Sequence, residues 1–177
     1  WRSTFRVRHP ERGEIWLEGC SSPVREADGG TVWHGVVTDV TLRLRAEATV
    51  REALSLQRAT LDGLSAHLAV LDTDGRIVAV NRAWREFAVA NGVVLAAVCE
   101  GANYLETCDR VEGVDRPTAA RVAAAIRATI AGTTGSASFE YPCHSPDAQR
   151  WFVVQVTAMD GAPPRRVIVA HESITER

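Results

Sequence analysis

The first part of the chain alternates apolar and polar positions. This alternation, seen in Thr4–Arg8 and again in Glu14–Glu18, predicts β-strands over residues 3–9, 14–23 and 31–40. Turn-forming residues, with glycine or proline among them, separate the strands. The pattern therefore predicts a small antiparallel meander at the start of the chain.

Residues 42–66 follow a helical period instead. No proline interrupts the segment, and a side-chain oxygen of Asp39 or Thr41 can cap its start. One seam of the helix is formed by residues spaced three or four apart, namely Val50, Leu54, Gln57, Leu61 and Leu64. Two interpretations stay open: a helix that packs on its own domain, or a parallel coiled-coil linker between two protomers in which Gln57 sets the register.

From His67 onward, strands and helices are mixed. Two strands flank the turn Thr73–Gly75, and Asn81 then caps a short amphipathic helix. A clear helix runs from Pro117 to Ala131, and three further strands follow it at 136–141, 150–158 and 166–171. This order predicts an α+β fold, with a five-stranded antiparallel sheet and helices on one face.

A weak repeat relates the two ends of the chain. Asp39-Val40-Thr41-x-Arg43 aligns with Ser173-Ile174-Thr175-x-Arg177, a shift of 134 residues (173 − 39 = 134). At almost the same shift, Phe5 falls on Phe139 and Trp16 on Trp151. We therefore expect two copies of one module. Residues 1–41 form the C-terminal half of the first copy, 42–66 a linker helix, and 67–177 a complete second copy.

Composition narrows the possible partners. The net charge of −2 gives no reason to expect binding to nucleic acid or to an anionic membrane surface. No apolar run approaches the roughly 20 residues that a membrane-spanning helix needs. The 4 cysteines lack a C-x-x-C spacing, so we expect reduced thiols and a cytoplasmic location.

The residues at the joints of these elements resemble those of PAS domains of bacterial sensory-box proteins. The resemblance rests on the hairpin Val70–Ile77, the following Val80–Trp84, and the exit motif Asp39–Arg43. It covers 67–177 as a complete domain and the first part of the chain as a partial one. In the second copy Ser173 replaces the aspartate of the exit motif. Serine can still cap a following helix, so we expect the exit geometry to survive and any salt bridge from that aspartate to be lost.

The resemblance implies a role in signal transduction. A PAS module senses a small ligand or a partner and relays a conformational change through its linker helices. The output domain, a histidine kinase or a diguanylate cyclase, would lie outside this chain. We expect a homodimer that forms through the linker helix, and no enzymatic activity in this chain. The alternative is a ligand-free dimerisation scaffold.

The expected ligand pocket lies between the sheet and the helices. Its predicted lining residues are Phe87, Tyr104, Leu105, Val122, Ile126, Phe139 and Trp151, with Val70 and Val153 as further candidates. Flavin photochemistry in this family needs a cysteine directly after Gly-x-Asn, where this chain has Tyr104. Haem-binding members of the family place a histidine on the long helix, which corresponds here to Pro117–Ala131. This segment contains no histidine. The sequence does not identify a cofactor.

Three residues suggest alternative chemistry. Cys108 and Cys143 are candidates for a redox pair, and together with His144 they are candidates for a metal site. The competing interpretation is that both cysteines are small buried apolar residues. All three interpretations stay open.

The first meander lacks helices of its own to cover it. Its apolar residues should therefore be covered in another way. We expect Phe5, Trp16, Val36 or their neighbours to pack against the linker helix or a second protomer.

Overall fold

The computed structural model describes residues 1–143, 149–161 and 165–175. It contains two compact units, Trp1–Gln57 and Arg58–Arg177, and the boundary between them falls within one helix. The fold class is confirmed: the chain is α+β, with a three-stranded sheet first and a five-stranded antiparallel sheet after it.

The first unit contains the predicted meander. Its strands are β1 (Arg2–His9), β2 (Gly13–Arg25) and β3 (Thr31–Asp39), with β2 in the centre. Both pairings are antiparallel. Gly13 closes the first turn with a φ of 72°, a left-handed conformation that glycine adopts without strain.

The long helix α1 (Thr41–Asp62) starts from the exit of β3. Asp39 Oδ1 accepts a hydrogen bond from the backbone N–H of Thr41 at 2.9 Å, and Asp39 Oδ2 forms an ion pair with Arg12 at 2.5 Å. The hydrogen bonds from Thr41 are the largest cause of a pKa of about 2 for Asp39. The predicted cap at this position is therefore present.

Two faces of the first sheet carry the residues that we expected to be covered. Phe5 pairs with Leu17 while Val36 pairs with Cys20, so strand alternation puts Phe5 and Val36 on opposite faces. The start of α1 does reach β2, since Trp16 donates its backbone N–H to Thr41 Oγ1 at 2.8 Å. Val36 is 67% exposed, so the expected cover by the helix is wrong for this residue. Cover by a second protomer stays a prediction.

The second unit is built on the sheet order β5-β4-β8-β7-β6. Its strands are β4 (His67–Leu71), β5 (Ile77–Val80), β6 (Ser136–Pro142), β7 (Trp151–Met159) and β8 (Arg166–Ser173). The first hairpin thus pairs with the last strand, and β8 lies at the centre of the sheet. Every pairing between neighbouring strands is antiparallel.

Helices connect β5 to β6. They are α2 (Arg82–Ala90), α3 (Leu95–Val98), α4 (Tyr104–Asp109) and α5 (Arg116–Ala131), with a 3₁₀ turn at Gly113–Asp115 before α5. The core lies where α5 packs on the sheet: Val122 and Ile126 of the helix cluster with Val154 and Val169 of the strands. Gly132 ends α5 in the left-handed region with a φ of 77°.

The two segments that the predicted repeat aligns make the same hydrogen bonds. Val40 donates its N–H to the Trp16 carbonyl at 2.9 Å, and Ile174 donates to the Trp151 carbonyl at 2.9 Å. In the later segment Trp151 also donates its N–H to Thr175 Oγ1 at 3.2 Å, as Trp16 does to Thr41 in the earlier one. The exit geometry therefore survives the replacement of the aspartate by Ser173, as expected.

Candidate functional site: an aromatic cavity around His171

A cavity of ≈ 190 Å³ lies inside the second unit. Its wall combines aliphatic side chains, aromatic rings and two histidines: His67, Trp84, Phe87, Ala88, Val93, Val98, Tyr141, Phe152 and His171. Helix α2 and the segment after it supply one side, and the sheet supplies the other. No arginine or carboxylate belongs to the described part of this wall.

His171 is held between the two tyrosines of the chain. Its position on the central strand β8 is opposite His67 of β4 on one side and Val154 of β7 on the other. His171 Nε2 lies 2.9 Å from Tyr104 Oη, and Nδ1 lies 2.6 Å from Tyr141 Oη. Both ring nitrogens therefore have a hydrogen-bond partner, which fixes the plane of the imidazole.

The site favours uncharged side chains. Burial, and next the neighbouring His67, lower the pKa of His171 to about 4. Burial also lowers the pKa of His67 and raises the pKa values of Tyr104 and Tyr141 above those of free phenols. Near neutral pH the wall therefore carries no net charge.

Ring packing organises the rest of the wall. The rings of His67 and Phe87 stack with centroids 4.4 Å apart, and Phe152 meets Phe87 edge-on at 5.7 Å. Trp84 donates its indole N–H to the Val98 carbonyl at 2.8 Å, so that donor is already occupied. These contacts give the cavity a rigid aromatic surface.

Asn81 joins the end of α1 to the start of α2. Its Oδ1 accepts the N–H of Trp84 at 3.0 Å, which confirms the predicted cap, and also the N–H of Leu68 at 3.0 Å. Its Nδ2 lies within hydrogen-bond distance of three carbonyls at the end of α1 and just beyond, those of Leu61, Leu64 and Ala66. Asn81 is 1% exposed, so one buried amide contacts five backbone groups, with the two protons of Nδ2 shared among three carbonyls.

A groove next to this junction shares two residues with the cavity. Its lining includes Asp62 at the end of α1 with the three residues after it, Arg82 and Glu86 of α2, and also His67 and Phe87. We call it the α1 groove. Because His67 and Phe87 line both spaces, a molecule in the cavity would touch side chains that also face the end of α1.

The predicted lining residues fall into three groups. Phe87 lines the cavity, and Tyr104 reaches it through His171. Val122 and Ile126 are core residues, against which Leu105 and Phe139 pack. Trp151 is 45% exposed, and alternation places it with Val153 on the face of β7 opposite Phe152.

Val70 also lies on the opposite face of its strand from the core, because its neighbours Ala69 and Leu71 are the buried positions of β4. Two arginines of α5 also have partners outside the cavity: the Arg121 guanidinium lies 4.1 Å from the Phe139 ring centroid, and Arg127 pairs with Asp109 at 2.7 Å.

The cysteines show no sign of activation. Burial raises the pKa of Cys108 to about 11 and also raises the pKa of Cys143. All four cysteines are free thiols. Among the described residues no group of His, Cys, Asp and Glu side chains is arranged to hold a metal ion. His144 lies outside the described residues, so its predicted metal role stays a prediction.

The sequence assigns no role to His171, the residue at the centre of the candidate site. The alternation of β8 indicates which way His171 faces. Val167 and Val169 are fully buried, and His171, two residues further on, lies on the same face of the strand. The sequence predicts that Tyr141 and His67 lie in strands, but it gives neither residue a role in the site. Their convergence on His171 depends on the pairing of β4 with β8 and on the side-chain contact between Tyr141 and His171, which join residues distant in sequence.

Comparison with known proteins identifies the family. A family model described as the PAS fold matches residues 61–177, and the chain belongs to that family. PAS domains are sensor modules of signalling proteins, and this is the class that the fold and the cavity define.

The chain is also similar to individual proteins. An uncharacterized 104.1 kDa protein in the hypE 3′ region of Rhodobacter capsulatus is 37% identical over 172 residues, which is 90% of this chain and 18% of that protein. The chain thus spans less than a fifth of this relative. The PAS domain of Bordetella pertussis BvgS matches with a TM-score of 0.50 at 18% identity, covering 71% of this chain and 89% of that one.

A PAS domain of an HTR-like protein from Haloarcula marismortui has a TM-score of 0.49 and 19% identity, with coverage of 73% and 98%. Separately, none of the helices in the described ranges is long and apolar enough to cross a membrane.

Proposed function

We propose that this chain is a sensor module that binds a small molecule in the His171 cavity. The observation that carries the proposal is the cavity itself, ≈ 190 Å³ of space with an aromatic wall on which a few polar groups converge. Ligand sites are mostly apolar, with a small number of placed polar groups. An apolar cavity of about 150 Å³ is enough to bind benzene, so this one suits a molecule of similar or slightly larger size.

The response to the ligand would leave the domain through α1. Ligand contacts with His67 and Phe87 would act on the α1 groove, and Asn81 ties the end of α1 to α2. A change on the cavity side of α2 would therefore move the end of α1. This relay supports the interpretation of 42–66 as a transmitting linker helix.

A dimer would give that movement a direction. Val50 and Leu54 lie one turn apart on α1 and are 59% and 60% exposed, as the coiled-coil interpretation of the seam requires. We propose a cytoplasmic homodimer through this seam, with a histidine kinase or a diguanylate cyclase as output in the longer protein. The free thiols support a reducing compartment.

The same exposed seam favours a second candidate, a ligand-free dimerisation scaffold. The two candidates differ in whether the cavity is used. The first test is native mass spectrometry of the purified chain together with a thermal-shift screen of small aromatic molecules. A sensor gives adduct mass or a shift in melting temperature, and an Ala88→Leu variant that fills the cavity loses both.

The matched control is Val89→Leu, because Val89 is on the same helix but 62% exposed. A chain that shows no adduct and no shift, with Ala88→Leu indistinguishable from wild type, would favour the scaffold.

A further inference from the structure

We propose that the His171 cavity selects an uncharged molecule, about as large as a single substituted aromatic ring, that offers a hydrogen-bond acceptor to the hydroxyl of Tyr141. This inference rests on the proposed function, since it assumes that the cavity holds a ligand. It adds the chemical class of the ligand.

The composition of the wall disfavours a charged ligand. The lining residues include two histidines as their titratable basic groups, and the pKa values of both are lowered. A carboxylate in the cavity would therefore lose its hydration without gaining a cation, which is strongly unfavourable. A cation would meet no carboxylate on the described wall. The ligand should be neutral.

Counting protons shows that the Tyr104–His171–Tyr141 cluster has a donor to spare. A neutral imidazole has one N–H and one acceptor nitrogen, and each phenol has one O–H. Two of these three protons serve the two contacts with His171 Nε2 and Nδ1. One phenol donates to the ring and the other accepts from it, so the accepting phenol keeps a free O–H.

The positions of the two phenols indicate which tyrosine keeps the free O–H. Tyr141 lies on the cavity wall, whereas Tyr104 packs against the core and does not line the cavity. Within the described residues neither phenol makes a second hydrogen bond. If the spare O–H were on Tyr104, a buried hydroxyl proton would have no acceptor, which is costly. A proton on His171 Nδ1 instead leaves the free O–H on Tyr141, facing the ligand space.

The wall carries two further N–H groups that could serve a ligand, those of Trp84 and His67. The Trp84 N–H is donated to Val98, and the His67 ring stacks on Phe87. Tyr141 is the donor that His171 holds in place, so a ligand whose acceptor binds it would also select one tautomer of His171. The cavity combines a dry aromatic surface with this donor, which suits a ring that carries a carbonyl.

The experiment compares three probes with the same number of non-hydrogen atoms. Acetophenone has a ring and a neutral acceptor, isopropylbenzene has no acceptor, and benzoate has a charge. Dissociation constants are measured by NMR titration of the full chain and of Tyr141→Phe. Phe139→Leu is the matched control, because Phe139 is on the same strand and face but outside the cavity wall.

The expected result is a loss that depends on the acceptor. Tyr141→Phe should weaken acetophenone binding by about threefold to tenfold, the usual worth of one neutral hydrogen bond, and leave isopropylbenzene within twofold. Benzoate should not bind measurably, and Phe139→Leu should leave all three results unchanged.

Other outcomes separate this inference from the function beneath it. If Tyr141→Phe weakens acetophenone and isopropylbenzene equally, or if benzoate binds best, the ligand class is wrong while the cavity remains a ligand site. If none of the probes binds and Ala88→Leu changes nothing, the ligand class and the sensor function both fail. Unfolding of Tyr141→Phe would show in its NMR spectrum, and the comparison of probes on the wild-type chain then decides between acceptor and charge.

Discussion

Burial of His171 should make the protein lose stability in mild acid. Burial lowers the pKa of His171 to about 4, whereas a histidine in an unfolded chain titrates near ~6.5. Between these values the unfolded chain binds one proton more than the folded chain does. Stability is therefore unaffected by this group above about pH 6.5 and falls as the pH drops toward 4.

The expected effect is large enough to measure. Each pH unit in that window removes about 1.4 kcal/mol of unfolding free energy, and the wild type should lose about 2 kcal/mol from pH 7 to pH 5 through this one residue. Urea denaturation at the two pH values reports the change as a midpoint shift on the order of 1 M.

His171→Gln is the comparison, because an amide also offers a donor and an acceptor to the two tyrosines. The variant should retain only a shallower slope, to which His67 contributes because burial lowers its pKa as well. Equal pH slopes for wild type and variant, or an NMR titration of the His171 imidazole near its ordinary pKa, would refute the reasoning.

Further predictions concern the junction, the seam and the thiols. Asn81→Ala should destabilise the second unit by about 2–4 kcal/mol in urea unfolding, since it removes a helix cap and leaves buried backbone groups unpaired. The control Asn91→Ala, at the exposed end of the same helix, should cost less than about 1 kcal/mol. A similar cost for both would contradict the junction role. Leu54→Glu on the seam should turn a dimer into a monomer in sedimentation, whereas Leu56→Glu, also exposed but off the seam, should not. Cys108 should react with iodoacetamide at pH 8 about a hundredfold more slowly in the folded chain than in urea, because burial raises its pKa to about 11; fast labelling would revive the redox interpretation.

Local features of the fold could be predicted from the sequence. The turn at Asp74–Gly75 and the cap at Asn81 depend on side chains that bond to backbone close by in sequence. The exit from β3 is local in the same sense, because Asp39 bonds to Thr41 two residues later. Such short-range rules let the residue types alone indicate where elements begin and end.

The site could be predicted only in part, because strand alternation separates the side chains into two faces without saying which face is buried. The sequence predicts Trp151 as a lining residue, but Trp151 is exposed and the buried position next to it is Phe152. A shift of one residue reverses the face of every side chain in a strand. The cluster at His171 also joins four strands and two helices, and no local pattern contains that information.

The junction at Asn81 limits how a ligand signal can travel. Sliding α1 past α2 would break the three contacts from Asn81 Nδ2 to the carbonyls at the end of α1 and just beyond, at a cost of about 2–4 kcal/mol. A ligand shifts an equilibrium only by the difference in its affinity for the two states, so sliding would require a preference of about 30-fold to 800-fold. A ligand as small as this cavity admits has few atoms with which to supply such a preference. We therefore expect α1 and α2 to move together as one body, with the side-chain amide of Asn81 equally protected from hydrogen exchange in the free and the ligand-bound chain.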